Sequence, residues 1–73
     1  MTAEEWVGRF ATEVGAKPPS AEELDEILKL AAIAAHASER TAAPIACWIG
    51  GRTGRSASSL REIAKRVNPG AED

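Results

Sequence analysis

The stretch from Trp48 to Ser56, with the sequence WIGGRTGRS, holds three glycines and two arginines before a serine-rich segment. Glycines and cations at such a place could bind an anion, because the first backbone N–H groups of a helix have no partner within it. The stretch lacks the Gly-x-x-x-x-Gly-Lys-Ser/Thr spacing of a nucleotide-binding loop, and no strand is expected before it. The candidate residues for contact with an anion or a partner are Trp48, Arg52, Gly54, Arg55 and Ser56.

A structural interpretation of the same stretch competes with the functional one. Gly50 lets two helices approach closely, and Gly54 takes a left-handed conformation beyond a helix end. The two arginines are then solvated. Trp48 fills the core by default, but it lies to the side of its helix's apolar stripe, and a tryptophan beside an arginine is typical of partner surfaces. Helix packing, anion or partner contact, and nucleic-acid binding all remain open here.

Nucleic-acid binding has weak support from the pattern. Ala46 and Gly50 resemble the small residue and the turn glycine of a helix-turn-helix. The rest of the helix-turn-helix pattern does not match. The motif needs an apolar residue about six positions after the glycine, where this chain has Ser56, and the next apolar residue of that helix that could serve, Leu60, comes four positions later. The formal net charge of −2 also gives no general attraction to a polyanion.

No catalytic or metal-binding constellation can be assembled from the residues. His36 and Cys47 are the only histidine and cysteine, which are too few soft ligands for a metal site. We expect His36 to be partly exposed near the end of the second helix, and Cys47 to be a small buried thiol. The paired carboxylates Glu4-Glu5 and Glu22-Glu23 have a capping role. The sequence therefore predicts a protein that is not an enzyme and has no cofactor and no metal.

Charge and hydropathy limit the environment of the chain. Residues 1–35 carry seven acids and three bases, whereas residues 36–73 carry six bases and four acids, so an anionic ligand would bind the C-terminal half. No apolar run approaches the length of about 18 residues that a membrane span needs, and no basic-plus-apolar leader stands at the N-terminus. The expectation is a cytoplasmic protein without a membrane contact.

Two capping boxes predict where the first helices begin. Thr2 with Glu5, and Ser20 with Glu23, have the three-residue spacing at which side chains and backbone N–H groups satisfy one another. Gly15 ends the first helix, and a Pro-Pro connector follows it. The apolar positions expected to face inward in these two helices are Ala3, Trp6, Val7, Phe10, Ala11, Val14, Leu24, Ile27, Leu28, Leu30, Ala31, Ile33, Ala34, Ala35 and Ala37.

The second half of the chain predicts two shorter helices. Thr41 is the expected cap of the third helix, with Pro44 tolerated in its first turn, and Ser56 is the expected cap of the fourth. Inward positions are Ala42, Ile45, Ala46, Ile49, Gly50, Leu60, Ile63, Ala64 and Val67; Arg61, Lys65 and Arg66 are expected outside. The prediction is an all-α, compact four-helix bundle with helices at about 3–14, 21–37, 42–53 and 57–67. The four helices form a single domain, 1–73. Asn68-Pro69-Gly70 is expected to end the last helix, and residues 69–73 are expected to be frayed.

A thin core is expected from the length alone. A chain of 73 residues buries only about 60% of the surface that its unfolded form exposes. Self-association or a partner could supply further stability.

Three segments carry a resemblance to a known family: Glu5-Trp6, the helix from Leu28 to His36, and Arg40-Thr41-Ala42-Ala43-Pro44. They resemble a small helical family of uncharacterised domains from high-GC Gram-positive bacteria. Members occur alone or fused behind the nucleotidyltransferase domain of molybdenum-cofactor guanylyltransferase-like proteins. The family's Arg-Pro-Ala-Ala-Pro corresponds to residues 40–44, and its later glycine corresponds to Gly51. Residues 52–55 are more polar than the family pattern.

The resemblance implies an accessory role in molybdopterin-guanine dinucleotide biosynthesis. The preferred hypothesis is a non-catalytic interaction module that binds a guanylyltransferase-like enzyme, or a second copy of itself. The alternative is a domain that binds a small phosphorylated ligand at the start of the fourth helix, and nucleic-acid binding ranks behind both.

Overall fold

The computed structural model describes residues 1–67, which form four α-helices: α1 (Ala3–Val14), α2 (Ala21–Ala37), α3 (Ala42–Gly51) and α4 (Ala57–Val67). No strand occurs within these residues. The predicted all-α architecture of four helices is therefore confirmed. The expected stop at 68–70 and the fraying of 69–73 lie outside the described residues.

Both capping boxes form as predicted. The backbone N–H of Glu5 donates to Thr2 Oγ1 at 3.1 Å, and the N–H of Thr2 donates to Glu5 Oε1 at 2.7 Å. Ser20 and Glu23 repeat the arrangement at 3.1 and 2.8 Å. Each box satisfies two free donors with groups at most three residues away, so these helix starts depend on no other element.

The end of α1 is a Schellman motif followed by a connector. Gly15 has a φ of 79°, which only glycine adopts without strain. The N–H of Ala16 donates to the carbonyl of Ala11 at 2.8 Å, and that of Gly15 donates to Thr12 at 3.2 Å. The Pro-Pro connector cannot continue the helix, so α1 and α2 are separate units.

Two details of α3 differ from the prediction. The helix ends at Gly51 and not at residue 53, because the N–H of Thr53 bonds to the carbonyl of Gly50 in a tight turn at 3.0 Å. Thr41 is not a side-chain cap. It has helical backbone angles, since the turn begins earlier, with Ala42 N–H bonded to the Glu39 carbonyl at 3.0 Å. A residue already in the helical region cannot place its hydroxyl over the next turn.

The packing is centred on α2. Both α3 and α4 pack extensively against it, and α1 makes no comparable contact with any helix. Of the described residues, only Ala11, Leu30 and Ile33 are buried apolar side chains, and Gly50 is also buried. Apart from Ala11 of α1, the core thus lies between α2, α3 and α4, and it is even thinner than the sequence predicted.

Several apolar residues that were expected to face inward are more than half exposed. α1 presents its aromatic side to solvent because no helix covers it, and Trp6 and Phe10 remain 56% and 53% exposed. In α3, Gly50 is the only buried residue. The inward positions that the structure corrects are Trp6, Phe10, Val14, Leu28, Ile45, Ile49 and Val67, and Ala3 and Ala37 are exposed as well.

One cation of α4 also lies elsewhere than predicted. The side chain of Arg61, expected outside with Lys65 and Arg66, is only 17% exposed and forms an ion pair with Glu26 of α2. Its guanidinium also lies 3.3 Å from the carboxylate of its neighbour Glu62. Lys65 is partly exposed and reaches the same carboxylate at 3.7 Å, whereas Arg66 is exposed as expected. Arg61 therefore joins α4 to α2.

Candidate functional site

Trp48 and Arg52 form an exposed pair on α3. The indole is 65% exposed, and the guanidinium carbon of Arg52 lies 4.6 Å from the ring centroid. At this distance the cation is attracted by the face of the ring, which also orders the arginine. Ile45 and Ile49 are exposed on the same helix. Trp48, Ile49 and Arg52 follow Ile45 by three, four and seven residues, so the four side chains lie on the same side of the helix. This surface is called here the exposed α3 face.

The glycines of the WIGGRTGRS stretch have structural roles. A Cβ atom at Gly50 would lie 2.8 Å from Leu60 Cδ1, so the absence of a side chain there lets α3 approach α4. Gly54 has a φ of 75°, the left-handed conformation that was predicted for it. The hydroxyl of Thr53 donates to the Gly50 carbonyl at 2.7 Å and accepts the N–H of Arg55 at 3.2 Å. The stretch is therefore the last turn of α3 followed by a hydrogen-bonded turn, residues 52–56, that leads into α4.

The start of α4 has an acidic environment. Ser56 caps the helix, because its Oγ accepts the N–H of Ser59 at 3.2 Å. A shallow depression beside it is lined by Ser56, Ser58 and three carboxylate-bearing residues of α2, Glu22, Glu23 and Glu26. Carboxylates repel a phosphate and offset the attraction of the helix N-terminus. This arrangement weighs against the phosphate-binding hypothesis.

A larger groove lies between α2, α3 and α4, and the sequence reasoning missed it. Its volume is about 670 Å³, and its wall is mostly apolar. The wall includes Leu30, Ile33, Ala46, Gly50, Leu60 and Ile63. Arg55 also lines this α2–α3–α4 groove, and it is the only charged residue to do so within the part of the chain that the structure describes. The signal that could have indicated it is the run of alanines and glycines in α2 and α3, which leaves room between helices.

His36 and Cys47 are not brought together with other reactive groups. His36 is exposed at the end of α2. Cys47 is half-buried and not fully buried as expected, and burial raises the pKa of its thiol. Residues 1–67 contain no group of three or more histidine, cysteine or acidic side chains that could hold a metal ion.

The raised pKa of Cys47 predicts slow alkylation. The thiolate is the reactive form, so the rate with iodoacetamide rises with pH, and its midpoint should be higher in the folded protein than in urea. Because the folded pKa is raised, the stability that the neutral thiol contributes is present below the unfolded pKa and is lost as pH rises through the folded pKa. Cys47 is the only cysteine, so mass spectrometry of the alkylated protein reports this site alone. Equal midpoints in the folded protein and in urea would contradict the raised pKa of Cys47.

No helix within the described part of the chain is long and apolar enough to cross a membrane.

The helices and their exposed apolar side chains define a small all-helical domain. Its particular family follows from comparison: the chain belongs to DUF6457, a domain of unknown function, whose family model matches residues 1–73. Neither the search of curated proteins nor the search of solved structures gave a match.

Proposed function

We propose that this protein is a non-catalytic interaction module whose exposed α3 face binds a partner protein. The observation that carries the proposal is the Trp48–Arg52 pair, in which a large aromatic ring stands in solvent with a cation stacked on it. Tryptophan and arginine are the side chains that most often dominate binding energy at protein interfaces. The contact within the pair lowers the entropy that Arg52 loses on binding.

The proposed partner surface has an apolar pocket for Trp48 and carboxylates beside it. Ile45 and Ile49 extend the apolar part of the exposed α3 face. Arg52 on that face and Arg55 in the following turn supply positive charge, which would speed encounter with an acidic surface.

The proposed partner is a guanylyltransferase-like enzyme of molybdopterin-guanine dinucleotide biosynthesis. The support for this identity is the resemblance in Glu5-Trp6, residues 28–36 and residues 40–44 to domains that are fused to such enzymes. The exposed α3 face follows directly after the last of these segments. The proposed role is accessory, and the chemistry belongs to the enzyme.

The test measures binding to a purified guanylyltransferase-like enzyme from the same organism by titration calorimetry. Trp48→Ala is expected to weaken binding by about tenfold or more, because it removes the anchor. Arg52→Ala combined with Arg55→Ala should also weaken binding and reduce its dependence on salt.

Leu28→Ala is the matched control, since Leu28 is an exposed apolar residue of α2 outside the exposed α3 face. Circular dichroism of each variant checks that the helices are retained. If the parent protein does not bind, or if Trp48→Ala binds as tightly as the parent, the proposal is wrong.

A further inference from the structure

We propose that α1 of one copy binds in the α2–α3–α4 groove of a second copy, and that the exchange is reciprocal, giving a symmetric dimer. This inference does not rest on the proposed function, because its anchors are Trp6 and Phe10 of α1 and not the Trp48–Arg52 pair, although Ile49 and Arg55 belong to both surfaces. It joins two features that a single chain leaves unsatisfied.

The first feature is the uncovered apolar face of α1. Trp6 and Phe10 are one helical turn apart and stack on each other, with ring centroids 5.2 Å apart and planes 13° apart. Both rings and Val14 remain more than half exposed, and Ala11 is the only buried residue of the helix. Anchors at positions i, i+4 and i+8 on an amphipathic helix are typical of helices that bind in a groove of another protein.

The second feature is the groove itself. Its volume of about 670 Å³ is bounded by α2, α3, α4 and the turns beside them, and no residue of α1 contributes to its wall. The volume falls within the range of about 300–1,000 Å³ that encloses a sizeable organic group, so it can take aromatic anchors. Its wall contains Leu60 and Ile63, which are partly exposed and supply apolar contacts.

Charge complementarity favours α1 as the occupant. α1 carries three carboxylates, Glu4, Glu5 and Glu13, and one cation, Arg9. Residues 42–67, which form two sides of the groove, carry five cations and one carboxylate, whereas α2, the third side, carries four carboxylates near its start and one lysine. Arg55 lies in the groove wall itself. A negatively charged helix with an apolar face therefore matches an apolar groove whose α3 and α4 sides are positively charged and whose wall includes Arg55.

The connector after α1 allows the exchange. Gly15 closes α1 with a complete Schellman motif, so the helix does not need α2 to end correctly. Residues 15–20, when extended, reach at most about 20 Å, and the two prolines keep them away from helical conformations. A connector of this kind keeps α1 from continuing into α2 and lets it reach a neighbour.

The buried area is sufficient for a dimer. A helix of 12 residues is about 18 Å long and about 10 Å across. Covering half of the helix surface hides about 280 Å² of the helix and a similar area of the groove, so two reciprocal contacts bury about 1,100 Å² in total, close to the lower end for a stable interface. We therefore expect a dimer whose dissociation constant lies in the micromolar range and rises with salt.

The experiment is sedimentation equilibrium of the full chain from micromolar to millimolar concentration. The parent should change from monomer to dimer. Trp6→Ala with Phe10→Ala removes the anchors, and Ala46→Glu places a carboxylate in the groove; each variant alone should remain monomeric. Arg55→Glu is a second groove variant at an exposed position, and it should weaken the dimer by about tenfold.

Mixing separates the proposed contact from a folding defect. The anchor variant keeps an intact groove, and the Ala46→Glu variant keeps an intact α1, so an equimolar mixture should form a heterodimer through one contact, more weakly than the parent dimer and near millimolar concentration. Misfolded variants would not complement each other. Trp48→Ala is the matched aromatic control, because Trp48 is exposed but does not line the groove.

Three results would overturn the proposal. The first is that the parent remains monomeric at millimolar concentration, as it would if α1 bound in the groove of its own chain. The second is that the anchor variant still forms a dimer. The third is that the mixture of the two variants contains no heterodimer. None of these results affects the proposed function, because the two proposals use different variants. Trp48→Ala is expected to lose binding to the enzyme partner and to keep the dimer. The anchor variant is expected to lose the dimer and to keep binding to the enzyme partner.

Discussion

Ile33→Ala is expected to lower the free energy of unfolding by about 2–5 kcal/mol, the largest loss that a single apolar truncation should cause in this protein. Ile33 is 1% exposed, and it is the only large side chain of residues 1–67 that is essentially shielded from water. It lies on α2, the helix that both α3 and α4 pack against. Because so few other apolar side chains are buried, the loss takes a large part of a total stability of about 5–15 kcal/mol.

Urea denaturation followed by circular dichroism measures the change. Leu28→Ala is the control on the same helix, because Leu28 is 60% exposed and its truncation should cost well under 1 kcal/mol. If the two variants have the same midpoint, the core is not where the structure places it.

Glu26→Gln is expected to cost about 1–3 kcal/mol, because it removes the carboxylate partner of a largely buried guanidinium. The side chains of Glu26 and Arg61 are 23% and 17% exposed, and they join α2 to α4. Asp25→Asn is the matched control, since its ion pair with Lys29 lies within α2 at 3.4 Å and is exposed. An exposed pair at this spacing contributes only about 0.3–0.5 kcal/mol.

Urea denaturation of Glu26→Gln and Asp25→Asn at low and high salt compares the partly buried ion pair with the exposed one. The effect of Glu26→Gln should persist in salt, because a pair shielded from solvent is screened little. A double-mutant cycle with Arg61→Gln then isolates the coupling between the two side chains. A coupling energy near zero would mean that the ion pair does not hold α4 against α2.

Local signals in the sequence predicted the helices well. The capping boxes at Thr2 and Ser20 and the left-handed glycines at 15 and 54 involve groups only a few residues apart, so the spacing determines the geometry. Thr41 shows the limit of such signals. Its residue type suits a cap, but its backbone already has helical angles, because the turn begins at Glu39.

The candidate surfaces could be predicted less well, because they depend on contacts between distant residues. The periodicity of α1 identifies its apolar face but does not say whether another helix covers it, and the face of Trp6 and Phe10 is uncovered. Arg61 looked like a solvated cation, and its partner Glu26 is 35 residues away in the chain. The groove arises from the spacing of three helices, which no local pattern contains.

The central position of α2 has a consequence for synthesis on the ribosome. α2 is complete at Ala37, but the helices that pack against it finish at Gly51 and Val67, which is 30 residues later for α4. At about 5–20 residues per second, that interval is about 1.5–6 s. Until Gly51 has been added neither packing surface exists, and until Val67 has been added that of α4 is incomplete, so Leu30 and Ile33 lack part of their native packing throughout this time. Folding of this core therefore waits until α4 has been made, although its first two helices begin with the most self-sufficient caps in the described chain.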